Sequence, residues 1–558
     1  MENMQNNPQF IYTAPNSPFP PKPEKKLDLE LFDYIFFGIF ALATLGLVFC
    51  GLFGGMGIGY TITSIVMIVT MAVYMHKNGE FTFVSVSTLL LAVISALVFG
   101  LYSGDVLTRF IAFNIQLVSS IICMVSIIDD EVMDNINNAV KLLYSSVIAP
   151  FENVLLPIKA ILKNDKKKTA LQIGGAVLAA IPVLVIVIPL LVSADAAFEG
   201  LVDKIASSLG MTILKLIITV ILLAIVLSFA TSCRFELNKV KSTNINLAKA
   251  RKLKSPFAVT FLGMISLVYI VYLFSQTAYF FSAFSGILPQ GYEFSFAQYA
   301  RRGFFETEAI AFINLLLMSI VLWLTVRREN GELNPIVKGL MTFITVFSIL
   351  FIITALSKMV MYISEYGLTV LRLGTSVFML ATVVVLIAFI IRIFNSELKT
   401  VKYAVIISMA LFIALAVCGI DRTVAHYNVY AYLSGMHKNI DLYTLGDLSE
   451  SAIPYIYKLT ECGDETIEKE SERIIYELYD WYLYDSEVTF DEAGTKTYTA
   501  TYDETCGFTL SEYFATKYFN EAEITWYYED YEYYDYYESD FYPEQIVEED
   551  ETVVWDEV

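Results

Sequence analysis

Long apolar runs, separated by short polar turns that collect the charges, set the pattern of this chain. One of them shows its logic: in the stretch from Tyr299 to Arg328, two arginines and an acidic pair precede the run and two more arginines close it. No residue between Ala309 and Thr325 is charged, and about 20 such residues in a helix cross a hydrocarbon core of about 30 Å. Lipid offers no partner to backbone N–H and C=O groups, so a run of this kind has to be helical. The same pattern predicts spans at 34–53, 57–75, 82–102, 106–128, 171–193, 211–232, 257–281, 306–326, 337–357, 374–394 and 402–420. The expected fold class is an all-α polytopic transmembrane bundle of about eleven helices, with a C-terminal acidic α+β or partly disordered extramembrane region. The first two helices are joined by a glycine-rich segment in which Gly51, Gly55 and Gly59 suit either a tight turn or close backbone approach.

Composition agrees and then sharpens the picture. Hydrophobic residues make up 56% of the chain and the mean hydropathy is +0.58, above the usual range of soluble domains. The net charge of −21 is unevenly placed. Residues 421–558 hold 34 acidic and 7 basic residues, leaving 24 acidic and 30 basic in 1–420. Four regions follow: a disordered cytoplasmic tail at 1–33, rich in Pro and Asn and without a signal-peptide core; a transmembrane domain at 34–420; a helical extracytoplasmic segment at 421–475; and an acidic, Tyr-rich extracytoplasmic region at 476–558 with a partly disordered tail.

Lysine and arginine set the expected orientation, because short cytoplasmic loops carry the excess. With the N-terminus inside, 23 of the 30 basic residues of 1–420 fall on the inner side. An odd number of crossings then puts the acidic C-terminal body outside, in a multi-pass protein of the bacterial cytoplasmic membrane. The inner loop 129–170 repeats apolar positions every three or four residues and ends in lysines. It suits an interfacial helix on anionic lipid or a helix packed on the bundle, bent at Pro150 and Pro157. Beyond the last span, 421–459 reads as packed helix, 486–502 as an exposed hairpin, and Thr509 with Glu512 as a capping box opening a short helix.

The strings QYARRGFFE (298–306), YISEYGLTVLRL (362–373), LLVSADAAF (190–198) and HYNVYAYL with the later DLYTLGDLSESAIPYI resemble motifs of a bacterial polytopic membrane family catalogued as domain of unknown function 4173, allied to 4153. The likeness covers roughly residues 80–460. It implies an envelope membrane protein and assigns no catalytic residue; after about 475 the chain departs from it.

In the expected topology several charges share the outer leaflet: Asp195, Glu199, Arg301, Arg302, Glu306, Glu365 and Arg372, with Arg109 and Lys215 about one turn inside. Charge near hydrocarbon is costly unless paired or wet, so convergence would make a polar cavity for a small ion, a lipid headgroup or an envelope precursor. The plainer reading is a set of ion pairs fixing helix ends. The acidic body is a candidate lid over these arginines.

Enzyme signatures are scarce, with three histidines and no HExxH, GxSxG, P-loop or CxxC; no catalytic residue, metal or cofactor is expected. Cys462 and Cys506 are candidates for a disulfide. Membrane lipid is an expected partner, a protein bound through the acidic region is another, and nucleic acid is not. A non-enzymatic sensor, scaffold or assembly factor fits the two-body division best. A transporter or channel is the alternative, with Asn114, Gln116, Gln276 and Asn314 supplying midplane polar atoms, and a lipid-linked membrane enzyme comes third.

Overall fold

The computed structural model describes residues 27–129, 144–161, 210–235, 251–285, 304–329, 331–395, 398–483, 486–490, 496–500 and 507–521, with six single positions between 176 and 191. Among these, ten helices are long and apolar enough to cross a membrane, and the protein is a multi-pass membrane protein. They are α1 (Leu31–Gly46, continued by a wider π turn to Leu52), α2 (Ile58–His76), α3 (Phe83–Leu101) and α4 (Val106–Ile128). After two short helices, α5 (Ala149–Asn153) and α6 (Leu155–Ile161), come α7 (Met211–Arg234), α8 (Ser255–Ser285), α9 (Phe304–Leu324), α10 (Pro335–Tyr366), α11 (Val370–Phe394) and α12 (Thr400–Cys418). The expected span at 171–193 lies almost wholly outside the described residues.

Helix ends follow local chemistry. Thr82 and Ser85 form a reciprocal capping box at α3. Asn334 caps α10 through the Ile336 N–H at 3.0 Å, with Pro335 in the first turn, where no N–H is needed. Apolar side chains stay exposed around the spans, Leu42 at 71% and Leu371 at 78% among them, as lipid contact requires. Helix-facing positions are small: Ser85, Thr88, Ala92, Ser95 and Ala96 on α3 are buried. Thr88 and Ser95 donate to carbonyls one turn back, at 2.8 and 2.7 Å, so these hydroxyls permit close packing without needing a neighbour.

Packing brings α12 back onto α3 and α4, beside the first helices of the chain. A second set, α8 to α11, packs around Met341, Ile344, Ile352 and Met379. Within it the Tyr269 hydroxyl donates to Asn314 Oδ1 at 2.6 Å, and Asn314 Nδ2 donates to Ser348 Oγ at 2.9 Å. Asn114 instead donates to the Phe110 carbonyl of its own helix, and Gln116 accepts from Tyr60. The short helices α5 and α6 pack on α7, where Ser228 donates to the Pro150 carbonyl at 2.6 Å and Asn153 Nδ2 to Ser232 at 3.0 Å. That supports the bundle-packed reading of this segment.

After Gly419 the chain builds a helical body: α13 (Ile420–Leu433), α14 (Leu442–Gly446), α15 (Ile453–Ile456), α16 (Glu465–Leu483) and α17 (Leu510–Glu521), with single 3₁₀ turns at Glu450–Ala452 and Tyr457–Leu459. Its core gathers Val424, Leu445, Ile453, Ile456, Leu459, Ile475, Tyr479 and Phe519, so the expected division at 475/476 falls within one packed helix. The expected hairpin forms: β1 (Ser486–Phe490) pairs antiparallel with β2 (Lys496–Ala500), Val488 opposite Tyr498. Thr509 caps α17, accepting the Glu512 N–H at 3.4 Å.

The body sits at one end of the bundle, against the α3–α4 and α10–α11 turns and the close of α12. At the far end Arg234 of α7 is buried against Asp33 of α1. The Tyr74 hydroxyl of α2 donates to the same carboxylate at 2.9 Å, and Phe32 and Tyr74 rings flank the guanidinium. The helix begins at Leu31, ahead of the expected 34, which brings Asp33 into the packed bundle.

Candidate functional site

The junction between body and bundle concentrates the buried polar chemistry of the described residues. At its centre Asp105, fully buried, caps α4 by accepting the Thr108 N–H on Oδ1 at 2.9 Å. Its Oδ2 accepts the Thr108 hydroxyl and the N–H groups of Ile420 at 2.8 Å and Asp421 at 3.2 Å. Those last two donors open α13, and the first turn of any helix leaves N–H groups without intrahelical partners. One carboxylate therefore caps two helix N-termini, one in the bundle and one in the body, where the helix dipoles also favour negative charge.

Glu450 is the body's reciprocal contact. Its Oε1 accepts the Ser103 hydroxyl at 2.8 Å, the Gly104 N–H at 3.1 Å and the Ser511 hydroxyl at 2.8 Å. Nearby, Ile58 N–H donates to the Phe508 carbonyl at 2.9 Å, and Gly57 runs so close to Gly507 and Phe508 that any Cβ there would strike their backbone. The α10–α11 turn is held by Asn428 of α13, which accepts the Leu368 N–H and donates to the Leu368 carbonyl, both at 2.8 Å.

Four carboxyl groups thus share this junction. Asp421 accepts the Ser449 N–H at 3.0 Å; burial, followed by the Asp105 charge, pushes it up to about 7 from its ordinary 3.8. Burial also raises Glu512, whose Oε2 is buried without a hydrogen-bond partner. Among the described residues no cluster of His, Cys, Asp and Glu is arranged to hold a metal ion.

Beside this hub opens a cavity of about 260 Å³, with Leu101, Val417, Leu510 and Phe514 on its apolar side and Arg422, Tyr455 and Tyr518 on its polar side. Arg422 Nε donates to the Tyr455 hydroxyl at 2.7 Å, which sets the guanidinium at the rim. Apolar wall and cationic rim together suit an amphiphilic ligand or a partner's amphipathic segment.

The sequence-predicted cluster is only partly within view. Asp195, Glu199, Arg301 and Arg302 lie outside the described residues. Glu306 and Glu365 are exposed, and among the described residues neither forms an ion pair with Arg372. Arg372 instead donates to the Tyr366 carbonyl at 3.1 Å and to that of Gly367, with its guanidinium 4.0 Å from the Tyr362 ring centre; it fastens the end of α10. Arg109 donates to the carbonyls of Ser103, Gly55 and Met56, and Lys215 lies over Phe49 and Phe53. Cys462 is a free thiol, and Cys506 lies outside the described residues. The Asp105–Asp421–Glu450 hub escaped the sequence reading. Its one trace was Asp105 directly before an apolar run, the position of an N-cap.

A family model described as domain of unknown function (DUF4153) matches residues 62–459. That range runs from Ile62 in the second turn of α2 to the Tyr457–Leu459 turn, and so takes in Asp105, Asp421 and Glu450 but not Ile58, Phe508 or α17. It is the allied family of the resemblance drawn from the sequence motifs. No curated protein and no solved structure matches the chain.

Proposed function

The chain belongs to the domain of unknown function 4153 family, and we propose that it acts as a non-enzymatic sensor or assembly factor of the bacterial envelope, its helical body extracytoplasmic and its N-terminus cytoplasmic. The uneven distribution of lysine and arginine between successive spans supports that orientation. The observation that carries the reading is Asp105 capping α4 and α13 at once. A ligand or protein that shifts the body pulls directly on a transmembrane helix, which is what a receptor needs and a tethered domain does not. The cavity rimmed by Arg422 and Tyr455 is the proposed entry for that partner.

A photo-crosslinking residue at Phe514, in the cavity wall, should capture one discrete envelope component in native membranes. Capture should fall at least several-fold with Arg422→Ala, and a probe at the exposed Tyr443 should not reproduce it. Equal capture from both positions, or indifference to Arg422, would refute the reading. A transporter is the second reading, favoured by the Tyr269–Asn314–Ser348 chain linking three spans.

A further inference from the structure

Ionisable groups within a membrane bundle are neutralised, paired or wetted. Asp33 meets this demand with Arg234. Glu308 meets it differently. It lies on α9 within the Glu306–Leu324 span, and its Oε1 is buried with no hydrogen-bond partner. Among the described residues its one hydrogen-bond partner is Thr382 of α11, whose Oγ1 is 3.1 Å from Oε2.

Thr382 Oγ1 is also 3.0 Å from the Phe378 carbonyl, one turn back on its own helix. A hydroxyl has one proton to give, and a carbonyl can only accept. Threonine in a helix commonly gives its proton to such a carbonyl. The same hydroxyl also reaches Glu308 Oε2, so its one proton is divided between two acceptors and serves Oε2 at most in part. An ionised Glu308 would have that one shared proton at Oε2 and a buried, charged Oε1 with no donor. The neutral acid leaves only one carbonyl oxygen unserved, which is the smaller cost.

We propose that Glu308 is a proton-binding site inside the membrane bundle, a carboxylic acid at neutral pH hydrogen-bonded to Thr382. The ligand is the proton itself. The inference is independent of the junction cavity. Other titratable groups on the helices packed here have identified roles or exposures. Arg372 is held by α10 carbonyls, with Tyr362 beneath it. The Tyr269 hydroxyl donates to Asn314, and Glu306 is exposed. Lys358 of α10, half-buried in the same span, is the cation whose pairing would instead hold Glu308 ionised.

Dicyclohexylcarbodiimide tests this in native membranes bearing the full chain. The reagent takes the acid's proton on a nitrogen, the carboxylate oxygen adds to its central carbon, and the product rearranges to an N-acylurea with nothing lost. Peptide mass spectrometry should find the adduct at Glu308 at neutral pH, decreasing as the pH is raised, and undiminished in Lys358→Met. Infrared spectroscopy should show a protonated carboxylic acid band that is lost in Glu308→Gln. An adduct absent from the wild type, one that appears only in Lys358→Met, labelling indifferent to pH, or an infrared band unchanged by Glu308→Gln would each overturn the assignment.

Discussion

Replacing Asp105 with alanine removes one side chain and orphans donors on two helices. The α4 cap is worth about 1 kcal/mol. The Asp421 N–H, served by Oδ2, loses its acceptor in a packed junction at about 1–3 kcal/mol, and the Ile420 N–H keeps only the Thr108 hydroxyl at 3.0 Å. Relief of the like charge on Asp421 returns part of this, so a net loss of about 2–5 kcal/mol is expected, acting on docking of the body and not on insertion of the bundle. Hydrogen exchange in lipid nanodiscs reads it directly. Amides at the start of α13 should exchange at least about 30-fold faster at about 1.4 kcal/mol per tenfold, while those of α8 keep their wild-type rates. Asp105→Asn keeps an acceptor oxygen and should fall between wild type and alanine. Exchange at α13 within twofold of wild type in Asp105→Ala would show that the two-helix cap does not hold the body in place.

Three further outcomes follow from the same geometry. Because Asp421 is raised from 3.8 to about 7 in the folded protein, its contribution is fully present below 3.8 and is lost as the pH rises through about 7; the ceiling is about 4 kcal/mol. Body docking should weaken over that window, and Asp421→Asn should flatten the pH profile of its thermal melting. Gly367 has φ +76°, and a Cβ there would lie 2.7 Å from Asn428 Oδ1, so Gly367→Ala should destabilise by about 1–3 kcal/mol and expose the α10–α11 turn to protease. At the far end, Asp33→Asn strands the buried Arg234 and should cost about 3–5 kcal/mol in thermal unfolding, while Asp33→Leu with Arg234→Met should recover most of it.

The hydrophobic pattern made the architecture legible because each span must meet two demands that leave a local trace: about 20 apolar residues and an internally bonded backbone. Helix ends were less legible where charge interrupts hydropathy without interrupting the helix. Lys358 and Glu365 ended the expected run at 357, yet α10 continues to Tyr366; its 32 residues extend about 48 Å, longer than the hydrocarbon core requires. Glu365, expected at the end of a helix, is an exposed residue in the last turn of α10.

From the sequence alone came the membrane class, ten of the spans now seen, the hairpin and the Thr509 cap, each resting on contacts within a few residues. Tertiary structure alone brought Asp105 to Ile420, Glu450 to Ser103, Asp33 to Arg234 and Glu308 to Thr382. A carboxylate looks the same in a sequence whether it faces water, a helix N-terminus, an arginine or a threonine whose proton is shared with its own helix. Only packing across dozens or hundreds of residues decides which of those environments it meets, and with it whether the group anchors a body, neutralises a cation or keeps a proton.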